Sequence, residues 1–243
     1  MATKGSVTYL SPSRCFSVVV KIPECKRAHR KKNKQEDAAQ FFLTLIEYLR
    51  QKFKPLADVF VGDLGSTSTC QQCLQSSSKT DPFKLLSLSF PQRNNEQDPH
   101  NFQHEHNIQS LLDDFFKPEI IYDYECTPCS TKYPTAKTLN IRRTPKVLII
   151  QLKRFQGLEK IKDFVKFPSQ RSLRYNSDGN EHHQLYGITG VVLHKGRNIN
   201  EGHYISYVKA EAQWLKIDDS IIREVYWETV RKAKVNLLFY IRL

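Results

Sequence analysis

From Asn33 to Phe53 apolar residues recur at steps of three and four, and Ala38, Phe42, Leu45, Leu49 and Phe53 fall on one face of a predicted helix. Asn33 followed by Glu36 has the form of a capping box, and Pro55 lies just past the end. Before this helix only "CFSVVVKI" is apolar; after residue 56 the period shortens to two. "ADVFVGDL", "FKLLSLSFP", "AKTLNIRR", "KVLIIQLKRF", "LYGITGVVLH", "HYISYVK", "QWLKID" and "VNLLFYI" read as strands with turn residues between them. Residues 91–107, "PQRNNEQDPHNFQHEHN", hold almost no apolar content and are expected to form a mobile loop. "IQSLLDDFFKPE" reads as a short helix ending before Pro118. A helical start followed by a long antiparallel sheet region is an α+β layout.

Composition bounds the rest. The chain has 243 residues, 40% of them hydrophobic, enough to bury a core as one large domain or two small ones. No apolar run approaches the roughly 18 residues that would span a bilayer, and no secretory pattern is visible, so cytosol or nucleus is the expected compartment and no membrane is expected as a partner. The formal charge is +12, and six basic residues crowd between Lys26 and Lys34. Such a run reads first as a solvated loop. A nuclear-targeting or nucleic-acid patch is the alternative, although no helix-turn-helix, finger or RNP pattern accompanies it.

Six cysteines without a secretory signal argue against a disulfide framework. Four form two C-x-x-C knuckles, Cys70 with Cys73 and Cys126 with Cys129. A two-residue gap lets both sulfurs of a knuckle face one ion, and two knuckles complete a tetrahedral site for structural zinc. Redox pairs or simple buried thiols are the competing readings, but neither pair follows a strand and opens a helix. Four sulfurs saturate the ion without His100, His104 or His106.

The stretch "INEGHYISYV" starts a strand with His203 behind Gly202. With Ala210 and Glu211 as a two-residue hairpin loop, His203 stands opposite Asp218; with a three-residue loop, opposite Asp219. Opposed residues have Cβ atoms about 4.5 to 5.5 Å apart, within reach for an imidazole and a carboxylate. Such a pair fixes the ring's tautomer and frees its other nitrogen for proton transfer. A purely structural cross-strand ion pair is the competing reading.

"KQEDAAQFFLTLIEYL", the two knuckles, "TPKVLIIQLKRFQ", "KDFVKFP", "YGITGVVLHKG", "NEGHYISYVK", "WLKIDDS" and "VNLLFYIRL" occur in the order found in the ubiquitin-specific proteases. From about residue 10 to its end the chain resembles that family of papain-like cysteine proteases, whose thumb, palm and zinc-bearing fingers grip ubiquitin. The resemblance implies His203 as general base, Asp218 as its orienting partner and Asp219 as a nearby acid that shares that duty in some members. It implies Glu36 and Asp37 in the block that lines the channel for ubiquitin's tail. Gln40 stands where the family usually has a second acid, a loss of about 1 to 3 kcal/mol if nothing replaces the contact.

The family's nucleophile lies in a G-x-T-C-Y-x-N block, and no such string occurs here. Cys15 in "SPSRCFSVVV" has no preceding glycine and no Asn or Gln placed for an oxyanion hole, and Cys25 follows "IPE" in the basic loop. The expectation is a domain with an incomplete thumb: residues 1–34 as its remnant, 35–243 the protease-like part, fingers over about 56–145 and palm over about 145–243. Such a chain would bind ubiquitin without hydrolysing its isopeptide bond. The alternatives are a ubiquitin-binding scaffold that is no enzyme, and a zinc-organised chromatin or nucleic-acid binder.

Overall fold

The computed structural model describes residues 37–91, 105–157, 159–198 and 201–243. Helices α1 (Ala38–Lys52) and α2 (Lys54–Asp58) lead into strands β1 (Gly62–Cys70), β2 (Ser76–Phe83) and β3 (Leu86–Leu88). After β4 (Glu105–Asn107) come α3 (Ile108–Phe116), β5 (Glu119–Ile121), β6 (Glu125–Cys126), β7 (Thr131–Lys132) and β8 (Thr135–Arg143). β9 (Val147–Leu152) is followed by the short β10 (Phe155–Gln156), β11 (Glu159–Lys160) and β12 (Phe164–Lys166). The chain closes with β13 (Gln170–Ser177), β14 (Asn180–Lys195), β15 (His203–Ala210), β16 (Gln213–Asp218), β17 (Ile221–Val225), α4 (Trp227–Val230) and β18 (Val235–Arg242).

Two sheets dominate. An eight-stranded sheet runs β17-β16-β15-β14-β18-β9-β3 with β13 also on β14, and a four-stranded sheet runs β2-β1-β8-β5. The α+β expectation holds. β9 and β18 are continuous apolar runs because both faces of the large sheet are covered. Leu238 and Tyr240 of β18 join Leu148, Ile150 and Leu111 of α3 in the core cluster. On the opposite face Phe239 meets Phe42 of α1 edge-on at 5.6 Å, and Phe42 meets Phe60 at 5.4 Å.

The structure corrects the sequence reading of α1 in two respects. Its cap is Asp37, not Asn33: the Asp37 carboxylate accepts from the backbone N–H of Ala39 at 2.8 Å and of Gln40 at 2.9 Å. Asn33 and Glu36 lie outside the described residues. The fully buried positions are Ala39 and Ile46, whereas Phe53 stays 59% exposed. Pro55 sits in the first turn of α2, where its missing N–H costs nothing, so residues 57 and 58 are helical and the strand starts only at Gly62. Of the expected loop, residues 92–104 lie outside the described part, while Glu105–Asn107 form β4, parallel to β12.

Candidate active site and cysteine cluster

β15 and β16 form a hairpin whose register places Ser206 against Ile217 and Ala210 against Gln213. The loop is therefore Glu211–Ala212, with Glu211 at φ 54°, one residue later than the two-residue loop and one residue shorter than the three-residue loop the sequence suggested. His203 faces Asp218 on the diagonal rather than directly across. A shift of two positions keeps the same side of the sheet, and the diagonal is within reach of an imidazole. His203 Nε2 and Asp218 Oδ1 lie 2.6 Å apart. Asp219 occupies the next turn, exposed and at φ 54°, and no hydrogen bond joins it to His203 among the described residues.

Lys216, two residues before Asp218 and on the same face of β16, donates to the second carboxylate oxygen at 2.8 Å. The Lys216 ammonium first, and His203 second, hold the Asp218 carboxyl at about 2, well below its ordinary range. An ionised carboxylate only accepts, so Nε2 is the donor and Nδ1 keeps the lone pair that can take a proton. Lys216 escaped the sequence reading; its i, i+2 spacing from Asp218 was the available signal. Behind the histidine, a Cβ on Gly202 would fall 2.2 Å from His194 Nε2 and 2.4 Å from the Lys195 carbonyl oxygen. Only glycine fits there.

Tyr204, next in β15, opens onto a cavity of about 220 Å³ that also takes in Asp37, Ala38, Lys153, Arg154 and Asn236. Burial first, then the charge of Asp37, push the Tyr204 phenol above its ordinary value. The helix cap and the strand bearing His203 thus share one cleft. Gln40 is exposed, and the bond it makes to Asp37 comes from its backbone N–H.

The two knuckles converge. The four sulfurs of Cys70, Cys73, Cys126 and Cys129 lie within 4.8 Å of one another, with Cys70 to Cys129 at 4.0 Å and Cys73 to Cys126 at 3.6 Å. Sulfurs tetrahedrally placed about 2.3 Å from zinc stand about 3.8 Å apart, so the cluster fits that ion. Each knuckle makes the same turn: Leu74 N–H donates to the Cys70 carbonyl at 3.0 Å and Ser130 N–H to that of Cys126 at 2.8 Å, with φ at 59° and 55°. The thiols compete for charge. The Cys73 backbone N–H draws Cys70 down to about 7, while the Cys73 sulfur, burial and the remaining thiols push Cys129 up to about 12. A bound cation resolves that competition by favouring all four thiolates.

His106 contacts Asp163 at 3.3 Å, away from the knuckles. His100, His104, Cys15, Cys25 and the basic run lie outside the described residues. Among the described residues the thiols all belong to the cluster, and none is bonded to His203.

A family model described as ubiquitin carboxyl-terminal hydrolase matches residues 2–240. Ubiquitin carboxyl-terminal hydrolase 8 of Saccharomyces cerevisiae is 32% identical over 244 residues, a stretch covering 92% of this chain and 45% of that protein. Ubiquitin carboxyl-terminal hydrolase 23 of Arabidopsis thaliana is 29% identical over 232 residues, covering 86% of this chain and 26% of the other. Among solved structures, the SAGA Ubp8/Sgf11/Sus1/Sgf73 DUB module bound to ubiquitin aldehyde contains a chain that superposes with a TM-score of 0.77 at 28% identity, over 95% of this chain and 54% of that one. The SAGA DUB module bound to monoubiquitin gives a TM-score of 0.75 at 28% identity, over 95% and 53%. The chain spans about half the length of these relatives, or less.

Proposed function

The chain belongs to the ubiquitin carboxyl-terminal hydrolase family, and from that premise we propose that it engages the carboxyl-terminal tail of ubiquitin, with His203 and Asp218 as the general-base pair of a cysteine-type deubiquitinase. The observation that carries this reading is the 2.6 Å contact between His203 Nε2 and Asp218, beside the cleft that Asp37 and Tyr204 share. Asp218 fixes the tautomer, and His203 Nδ1 takes the proton of an attacking thiol and returns it to the leaving amine. Asp37 presents charge to a basic tail, with Glu36 and Gln40 in the same block. Zinc held by the four cysteines supplies rigidity to the fingers, over about residues 56–145, with the palm over about 145–243. Asp219 is a secondary acid at the edge of the pair. A cytoplasmic or nuclear location accords with this role and is read by imaging the tagged chain.

A second reading, ubiquitin binding without turnover, is favoured by one observation: the thiols among the described residues all sit in the cysteine cluster, and none contacts His203. Calorimetric titration with ubiquitin, together with a ubiquitin probe carrying a C-terminal electrophile, separates the two. The chain as given is expected to bind ubiquitin and to leave the probe unreacted. Joined to a segment carrying the family's cysteine block, it is expected to turn over, and His203→Ala then abolishes turnover. Failure to bind ubiquitin overturns both readings. Labelling of the unextended chain, lost on Cys15→Ser or Cys25→Ser, identifies a nucleophile within it and decides for catalysis.

A further inference from the structure

Arg171, on β13, is 6% exposed and sits where a strand of the large sheet passes under α3. Its Nη2 donates to Gln109 Oε1 at 3.1 Å, and Gln109 in turn donates to Asp113 at 2.8 Å. Its Nε and Nη1 have no hydrogen-bond partner. A guanidinium is always ionised, so a full charge is buried here with a neutral amide as its direct partner. Burial works against that charge, and the Tyr240 phenol and Asp113 only partly offset it.

Arg171 lines a cavity of about 730 Å³, the size range of small-molecule sites. Part of the lining is apolar and partly aromatic: Ile108, Phe164, Phe167 and Pro168. The lining also carries four basic residues, Lys166, Arg171, Arg231 and Lys232, against Glu105 as the lining carboxylate. Lys166 is neutralised by Glu105 at 2.6 Å and Arg231 by Glu228, but Lys232 makes no ion pair among the described residues. Arg171 and Lys232 therefore stand at the cavity without a direct ion-pair partner among the described residues, the Arg171 charge only partly offset. The sealed Arg171 nitrogens are screened little by water, so their field reaches further than that of a surface arginine. The cavity shares no lining residue with the cleft of Asp37 and Tyr204.

We propose that this cavity is a second ligand site, apart from the His203 hairpin, that takes a phosphate monoester carried on a flat apolar body, the chemistry of an aryl or nucleoside phosphate. The dianion matches the charge of the two cations, Lys232 at the rim and Arg171 acting through its field across the sealed wall. The apolar body lies against Phe164 and Phe167. The inference stands independently of the ubiquitin reading, since it concerns other residues and another ligand.

Calorimetry on the full chain at constant ionic strength tests it, with phenyl phosphate, adenosine monophosphate, inorganic phosphate and phenol as probes. Saturable binding of one phenyl phosphate or adenosine monophosphate per molecule is expected, about tenfold or more tighter than inorganic phosphate, with phenol silent. The tighter of the two organic phosphates identifies the source of the ligand. Arg171→Gln and the rim variant Lys232→Glu are each expected to weaken binding by about tenfold or more. Should Arg171→Gln fail to fold, Lys232→Glu carries the test alone. Absence of saturable binding, inorganic phosphate binding as tightly as the organic esters, or undiminished binding by the folded variants overturns the proposal.

Discussion

Asp218 is held by an ammonium and an imidazole N–H, and the larger influence is Lys216 rather than the histidine it orients. The sign of the resulting linkage is fixed by the direction of the shift. A carboxyl depressed from 3.8 to about 2 contributes stability that is complete above the ordinary value and is lost as pH falls through about 2. The pair is therefore intact across the whole neutral range. Lys216→Met is expected to move the Asp218 titration, read from its carboxyl carbon by NMR, upward toward the ordinary carboxylate range; an unmoved titration would assign the shift to His203 alone. At Gly202 the constraint is steric, because an added Cβ meets the His194 ring and the Lys195 carbonyl at 2.2 and 2.4 Å. Gly202→Ala is expected to destabilise the fold by about 1 to 3 kcal/mol in urea unfolding and to shift the His203 ring resonances.

At the scale of elements, the four-stranded sheet is held differently from the large one. β2 is almost wholly exposed, and its eight-residue run "SSSKTDPF" pairs with β1 through backbone bonds supplemented by hydroxyl contacts such as Thr69 to Ser76 at 2.8 Å. With so little apolar burial, the far end of this sheet depends on the cysteine cluster. Zinc analysis of the purified chain is expected to give one ion per molecule, and removal by a chelator to release hydrogen-exchange protection in 70–76 and 125–132. Amides of β9, β14 and β18 should keep theirs, since their strands lie in the core. Loss of protection throughout the molecule would instead make the ion a determinant of the entire fold.

For the whole molecule, Arg154 is the polar tie that crosses elements. It is 1% exposed and donates to the carbonyls of Val235, Ile161 and Asp163 at 2.5, 3.2 and 2.8 Å, linking the end of β9 to the start of β18 and to the segment before β12. Burial lowers its guanidinium to about 10, still charged at neutral pH. Arg154→Leu is expected to cost about 1 to 3 kcal/mol for each carbonyl left without a donor, read as a lower urea midpoint with unchanged slope. The sequence by itself determined several of the elements whose side chains are buried: β9, β14, β15, β16 and β18 lie where apolar runs or alternation put them, and α3 ends before Pro118 as expected, whereas β13, with buried Leu173, was missed. It also determined the two knuckles, and it narrowed the partner of His203 to Asp218 or Asp219; the observed register lies two positions from the one that pairs His203 with Asp218, and face parity survives an even shift. β2 was illegible, since a strand held by its neighbour's backbone carries no periodicity of its own. The start of α1 went to Asp37 because its carboxylate accepts from two first-turn N–H groups. Only the tertiary structure placed Lys216 on Asp218, Tyr204 beside Asp37, and Arg171 under α3, because each is a polar residue whose partners come from folding rather than from spacing along the chain.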